Sequence, residues 1–181
     1  MDRLWSPWRL EYVTGNKPEM GCVFCLAAEA RAQAADAPRS SERRPPIPDS
    51  LIVYERTTFY VLLNLYPYNN GHLMVVPYRH APSLGSLTPE ELHEMADLMQ
   101  LSERVLLEAY QPHGINVGVN LGKPAGAGVL DHVHVHLVPR WNGDTNFITV
   151  VGETRVLPEE LGQSAARLRP IFQKLGHSRS S

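Results

Sequence analysis

The sequence predicts an α+β domain, an antiparallel β-sheet with helices packed on one face. Three observations lead there. Runs rich in β-branched and aromatic residues follow one another closely, with tight-turn signals between them, which is the mark of antiparallel pairing. An amphipathic helix with clear start signals comes next. The order along the chain is then mainly β, α, β and α. The 181 residues, 43% hydrophobic and 20% charged, suit one domain with one sizeable core.

The elements follow in order. The first residues, MDRLWSPWRLEYV, carry charges and Trp where a signal peptide needs an uninterrupted apolar segment. From Ala27 the chain reads as a short helix and then passes into Pro, Ser, Arg and Glu. That second part, near residues 36–48, is too poor in apolar surface to offset the entropy of ordering and is expected to be a mobile insertion. LIVYERTTFYVLLNLYP, from Leu51, reads as two strands broken near Arg56 to Thr58. The turn YNNG and a third strand, HLMVVPY, come after it. A helix opens with Thr88 as N-cap, Pro89 in the first turn and Glu91 three residues after the cap. Leu92, Met95, Ala96, Met99, Leu106 and Ala109 give it an apolar face to lay on the sheet. INVGVNL and DHVHVHLVPR supply two more strands around the loop GKPAGAG. A C-terminal helical extension, LPEELGQSAARLRPIFQKL, is expected to break or kink at Pro170. Nothing repeats at a fixed period, which argues against a solenoid and for one domain over residues 1–181.

The net charge of -2 and pI near 6.4 give no basic excess to attract nucleic acid or an anionic membrane, although a local site can still hold a small polyanion. No apolar run reaches the roughly 20 residues that span a bilayer. A soluble, cytoplasmic protein is expected. Cys22 and Cys25, in GCVFCL, are the only cysteines; in a reducing compartment this spacing points to metal binding or redox chemistry, and the pair alone leaves both open.

Between Asp131 and Arg140 the alternation is strict. His132, His134 and His136 fall on one side of a strand, and Val133, Val135 and Leu137 on the other. Same-face neighbours are about 7 Å apart, so one imidazole can attack a phosphate while another binds its oxygens or donates a proton. Two chemistries can use such a row. HxH spacing on one strand face can share a zinc ion. Alternatively one imidazole is a nucleophile, its far nitrogen donating to an acceptor that fixes the tautomer. The flanks favour the nucleophile. The loop from Gly122 to Gly128 is short of acids and rich in Gly, which lets backbone N–H groups approach a phosphate.

HVHVHLVPR resembles the histidine triad motif, and the resemblance extends over most of the chain. Asn64 in LLNLYPYNNGH, with Gly71, His72 and the strand LMVVP, is similar to the family's nucleoside-side element. Asn120 and the Gly loop are similar to its phosphate-side element. The resemblance implies a histidine triad fold and a nucleotidyl transferase or hydrolase without an organic cofactor. His134 is then the nucleophile that becomes nucleotidylated, His136 and Asn120 contact the phosphate, and Asn64 holds the ribose hydroxyls. The backbone at Gly126, Ala127 and Gly128 flanks the α-phosphate. Triad proteins commonly place Ser or Gln near the last two positions, whereas Gly128 offers only its N–H. Lys123 is either a holder of an incoming anion or a solvated loop lysine.

Family members with an N-terminal CxxC often bind zinc through both thiolates, a His after the third strand and the first His of the triad. The matching positions are Cys22, Cys25, His80 and His132, a Cys2His2 set suited to a structural zinc. A His132 so engaged orients the catalytic strand instead of touching substrate. Trp5, Trp8 and Trp141 have packing as their default role, but LWSPWR and RWNGDTNF resemble a bacterial branch related to diadenosine tetraphosphate phosphorylases, or ATP adenylyltransferases. That likeness implies adenine nucleotides and dinucleoside polyphosphates as substrates, inorganic phosphate as acceptor, and a two-fold homodimer. The alternatives are a hydrolase of dinucleoside polyphosphates or adenosine phosphoramidates, and a non-catalytic zinc-containing nucleotide-binding protein.

Overall fold

Strands form where the β-branched and aromatic residues concentrate. In the computed structural model, which describes residues 21–34, 51–129, 131–144 and 159–177, they are β1 (Ile52–Glu55), β2 (Phe59–Leu63), β3 (Leu73–Pro77), β4 (Gly114–Val119) and β5 (Val135–Arg140). The helices are α1 (Val23–Ala34), α2 (Pro89–Tyr110) and α3 (Leu161–His177). The insertion expected near residues 36–48, together with Trp5 and Trp8, lies outside the described residues.

The sheet order is β1-β2-β3-β5-β4, and every neighbouring pair is antiparallel. The triad strand is thus interior, between β3 and β4, with Met74 opposite His136 and Gly118 opposite it from the other side. β2 and β3 are buried at every residue, which explains their unbroken apolar sequence: both faces are covered. On one face Tyr54, paired with Val61, stacks on Phe172 of α3 at 5.2 Å, and α3 packs on α2 to complete a helical layer. Alternation sends Tyr60 to the opposite face, where its hydroxyl donates to the Phe24 carbonyl of α1 at 3.0 Å. The α+β class is as expected, with the two long helices on one face and α1 meeting the other.

α2 starts as its sequence dictates. Thr88 Oγ1 accepts from the Glu91 N–H at 3.2 Å, and Glu91 Oε2 accepts from the Thr88 N–H at 2.8 Å, a reciprocal cap worth about 1 kcal/mol. The buried face of α2 is wider than the expected stripe. Leu98, Leu101, Val105 and Leu106 are the buried apolar residues, Leu92, Met95, Met99 and Ala109 are half-buried, and Ala96 is exposed. The cause is α3, which covers a second flank of the helix and widens its apolar face beyond what a sheet alone would require. Two further expectations need correction. α3 is not interrupted at Pro170, which sits on the exposed side of the helix where a missing N–H donor is cheap. β5 begins only at Val135, so His132 and His134 precede the paired strand; there the Val133 N–H donates instead to the Ala81 carbonyl at 2.7 Å.

Gly71 joins the helical layer to the turn before β3. It has φ +70, and a Cβ there would lie 2.7 Å from Tyr110 Cε2. Tyr110 cannot easily yield, because its hydroxyl donates to Glu159 Oε2 at 2.6 Å. Gly71→Ala is therefore expected to cost about 2 to 4 kcal/mol, left-handed strain plus overpacking, as read by the urea midpoint. A change below about 0.5 kcal/mol would show that the contact is soft.

Candidate active site

The site is a set of imidazoles whose protons are assigned by their partners. A carbonyl only accepts, so the 2.9 Å bond between His134 Nδ1 and the His132 carbonyl places the proton on Nδ1 and leaves a lone pair on Nε2. This carbonyl is the acceptor that sequence reasoning requires without being able to name. His134 is 5% exposed, and burial holds its pKa below the ordinary range against the raising effect of that bond. At neutral pH it is an uncharged imidazole, the nucleophilic form.

A second chain of bonds ends on His136. The Tyr68 N–H donates to His72 Nδ1 at 3.0 Å, which puts the His72 proton on Nε2; that nitrogen lies 2.9 Å from His136 Nδ1 and donates to it. A neutral His136 then carries its own proton on Nε2. Its ring meets His134 edge-on, with centroids 4.8 Å apart. One imidazole thus offers a lone pair and its neighbour a proton, the pair that displacement at phosphorus requires.

In the sequence His72 is only part of the element similar to the family's nucleoside side, with no role of its own. It lies two residues before Met74, which pairs with His136, so alternation carries it to the triad's face once strand pairing is known. Asn64, expected at the ribose, is half-buried beside it: Oδ1 accepts from the Tyr66 N–H at 3.0 Å and Nδ2 lies 3.4 Å from His72 Nδ1. Asn120 Nδ2 reaches the Gly126 carbonyl at 3.5 Å and so spans the Gly loop. Within that loop Lys123 is exposed at the start of a single 3-10 turn, Lys123–Ala125. The N–H groups of Ala125 and Ala127 both donate to the Gly122 carbonyl, and that of Gly126 donates to Lys123. A phosphate seated here has to find donors other than these three or displace them. Gly128 is half-buried at the end of the loop.

Cys22, Cys25, His80 and His132 come together, their ligand atoms all within 4.8 Å of one another. His132 is prepared for a cation. Its Nε2 proton is fixed by the Pro77 carbonyl at 3.0 Å, which turns the Nδ1 lone pair toward Cys22 Sγ at 3.1 Å and Cys25 Sγ at 3.6 Å. His80 Nδ1 lies 3.4 Å from Cys25 Sγ. Burial and the neighbouring Cys22 push the Cys25 thiol up to about 11, so its thiolate needs a cation beside it. Two soft sulfurs and two imidazole nitrogens suit tetrahedral zinc. His132 thus meets the cluster and the backbone, with His134 between it and His136.

A five-stranded antiparallel sheet with an HxHxH row running into an interior strand defines a histidine triad protein, and the HIT domain model matches residues 46–143: the chain belongs to that family. It is 42% identical to the AP-4-A phosphorylase of Mycobacterium tuberculosis over 161 residues, which are 89% of this chain and 79% of that one. It is 33% identical to the bis(5'-adenosyl)-triphosphatase of Dictyostelium discoideum over 135 residues, 71% of this chain and 89% of the relative. Among solved structures, a Zn-bound histidine triad family protein from Mycobacterium smegmatis superposes with TM-score 0.63 at 28% identity, covering 90% of this chain and all of the other.

Burial, with the nearby His136 and His134, lowers the His72 pKa from 6.5 to about 3. The unfolded chain therefore takes up this proton first, so the stability that His72 contributes is complete above about pH 6.5 and is lost as pH falls toward 3. From about pH 7 to 4.5 the loss from this residue is about 2 kcal/mol. His72→Gln keeps a donor toward His136 without titrating, and its urea midpoint is expected to fall less steeply over that range. Parallel midpoints for the two proteins would show that His72 is not buried neutral.

Proposed function

We propose that this protein is a nucleotidyl transferase that acts on dinucleoside polyphosphates such as diadenosine tetraphosphate, with a covalent nucleotidyl-His134 intermediate and inorganic phosphate as acceptor. The observation that carries this reading is the fixed tautomer of His134, a buried neutral ring with its lone pair on Nε2, beside a His136 that offers the complementary proton. Nε2 forms a bond to the α-phosphorus while the bond from phosphorus to the bridging oxygen breaks; that oxygen leaves with the electron pair as the nucleotide's phosphate anion, to which the His136 Nε2–H donates a hydrogen bond. In the second half, phosphate oxygen attacks the same phosphorus, the P–N bond breaks, and His134 regains its lone pair. Asn120 and the loop at Gly126, Ala127 and Gly128 flank the phosphate in this scheme, Asn64 the ribose, and Lys123 draws in the second anion.

The choice of phosphate rests on the 42% identity to the mycobacterial AP-4-A phosphorylase, and the likeness to the Dictyostelium bis(5'-adenosyl)-triphosphatase supports water as the second reading. Turnover of diadenosine tetraphosphate with and without inorganic phosphate separates them, since phosphorolysis yields ADP and hydrolysis AMP. His134→Ala is expected to abolish turnover while leaving AMP affinity within about tenfold, because it removes a transition-state role and little ground-state binding. Retained catalysis would end the nucleophile assignment. Lys123→Ala is expected to raise KM for phosphate more than KM for the dinucleotide, and constants unchanged from the wild type would make Lys123 a bystander.

Zinc at Cys22, Cys25, His80 and His132 is part of the same proposal, supported by the donor set and by the zinc-bound relative. When bound, it supplies a crosslink between the start of α1 and the triad rather than a reacting centre. The purified protein is expected to hold about one zinc per chain, and Cys22→Ser to lower both metal content and Tm. Zinc-free protein that has never met a chelator would remove this assignment. A two-fold homodimer fits β4, which ends the sheet among the described residues and leaves Val117 49% and Leu121 45% exposed. No helix among the described residues is long and apolar enough to cross a membrane, and we take the cytoplasm as the compartment where paired thiols stay reduced.

A further inference from the structure

Phe24 stands between the two cysteines in the first turn of α1 and is 2% exposed. Its ring packs against two imidazoles at once, meeting His132 edge-on with centroids 5.3 Å apart and His134 at 4.9 Å with the planes tilted by 54°. The turn that carries it is anchored twice. The Phe24 carbonyl accepts the hydroxyl of Tyr60, a fully buried residue of β2, and the flanking thiols lie 3.1 and 3.6 Å from His132 Nδ1.

The bond from His134 Nδ1 to the His132 carbonyl settles where that nitrogen points, but a single hydrogen bond leaves the ring able to swing about its own axis. Swinging displaces Nε2, at the far corner of the ring, and a nucleophile displaced by about 1 Å can lose about a hundredfold in rate. The Phe24 ring, 4.9 Å from His134, opposes the swing together with His136, which meets the same ring edge-on at 4.8 Å. We propose that Phe24 is a positioning residue for nucleotidyl transfer: held by the turn between Cys22 and Cys25, it fixes the tilt of the His134 ring so that Nε2 faces the phosphorus. This rests on His134 being the nucleophile.

The test uses the whole zinc-loaded chain and two variants, Phe24→Leu and Phe24→Met, the second serving if the first loses metal or cooperative unfolding. Diadenosine tetraphosphate is the probe. Three quantities are read: the single-turnover rate of adduct formation at His134, KM, and the nitrogen-15 spectrum of the His134 ring without substrate. Adduct formation is expected to slow about 10- to 100-fold with KM within about threefold, while the His134 ring signals broaden or multiply as the ring samples several tilts. Rates and ring signals like those of the wild type would overturn the proposal. A raised KM with an unchanged saturating rate would do so too, because Phe24 would then line the nucleoside pocket. A wild type that forms no adduct while turning substrate over removes the nucleophile reading itself, and the proposal with it.

Discussion

The architecture of the site depends on His132, which makes three engagements from one residue. Its Nε2–H is held by the Pro77 carbonyl at the end of β3, its Nδ1 faces the Cys22 and Cys25 thiols, and its own carbonyl receives the His134 ring. Each constrains the next. The Pro77 bond decides which nitrogen faces the thiols, and the position of the residue decides where the His134 acceptor lies. Imidazole suits this post because its two nitrogens are distinct and can serve opposite roles at once. A side chain with one polar atom could not face a sheet carbonyl and a cation together.

The protons in the site are set by backbone groups at both ends. The Tyr68 N–H starts one chain and the His132 carbonyl anchors the other, so neither His72 nor His134 is free to exchange tautomers without breaking a buried bond. Burial reinforces the arrangement by keeping both rings uncharged, as their lowered pKa values record. The site thereby sets an uncharged base beside a hydrogen-bond donor. Such preorganisation spares the reaction the cost of turning solvent or side chains as charge develops.

Much of this was legible in the sequence. The alternation of His132, His134 and His136 with valines, the Thr88 cap of α2 and the break between β1 and β2 are local patterns, written in consecutive residues. What the sequence withheld was non-local. His72 joins the site only because β3 pairs with β5 in a register that sets Met74 opposite His136. The inner face of α2 is wider than its own periodicity indicates because α3 returns to cover it, and continuity through Pro170 depends on which side of α3 meets solvent. The inward-turned amides of the Gly loop follow from the 3-10 turn at Lys123 and its Gly122 acceptor, which composition does not disclose. In each case the deciding partner lies on another element or in the fold of the loop itself.

The late start of β5 divides the triad between two mechanical regimes. His136 lies within the hydrogen-bonded ladder, whereas His132 and His134 sit on a stretch whose backbone is tied to the Ala81 carbonyl instead of to a strand neighbour. Releasing the first half of the triad costs the opening of a loop, while releasing His136 costs the rupture of a central strand. Amide hydrogens on the two sides of Val135 are thus held by different elements, a loop carbonyl on one side and the strand ladder on the other.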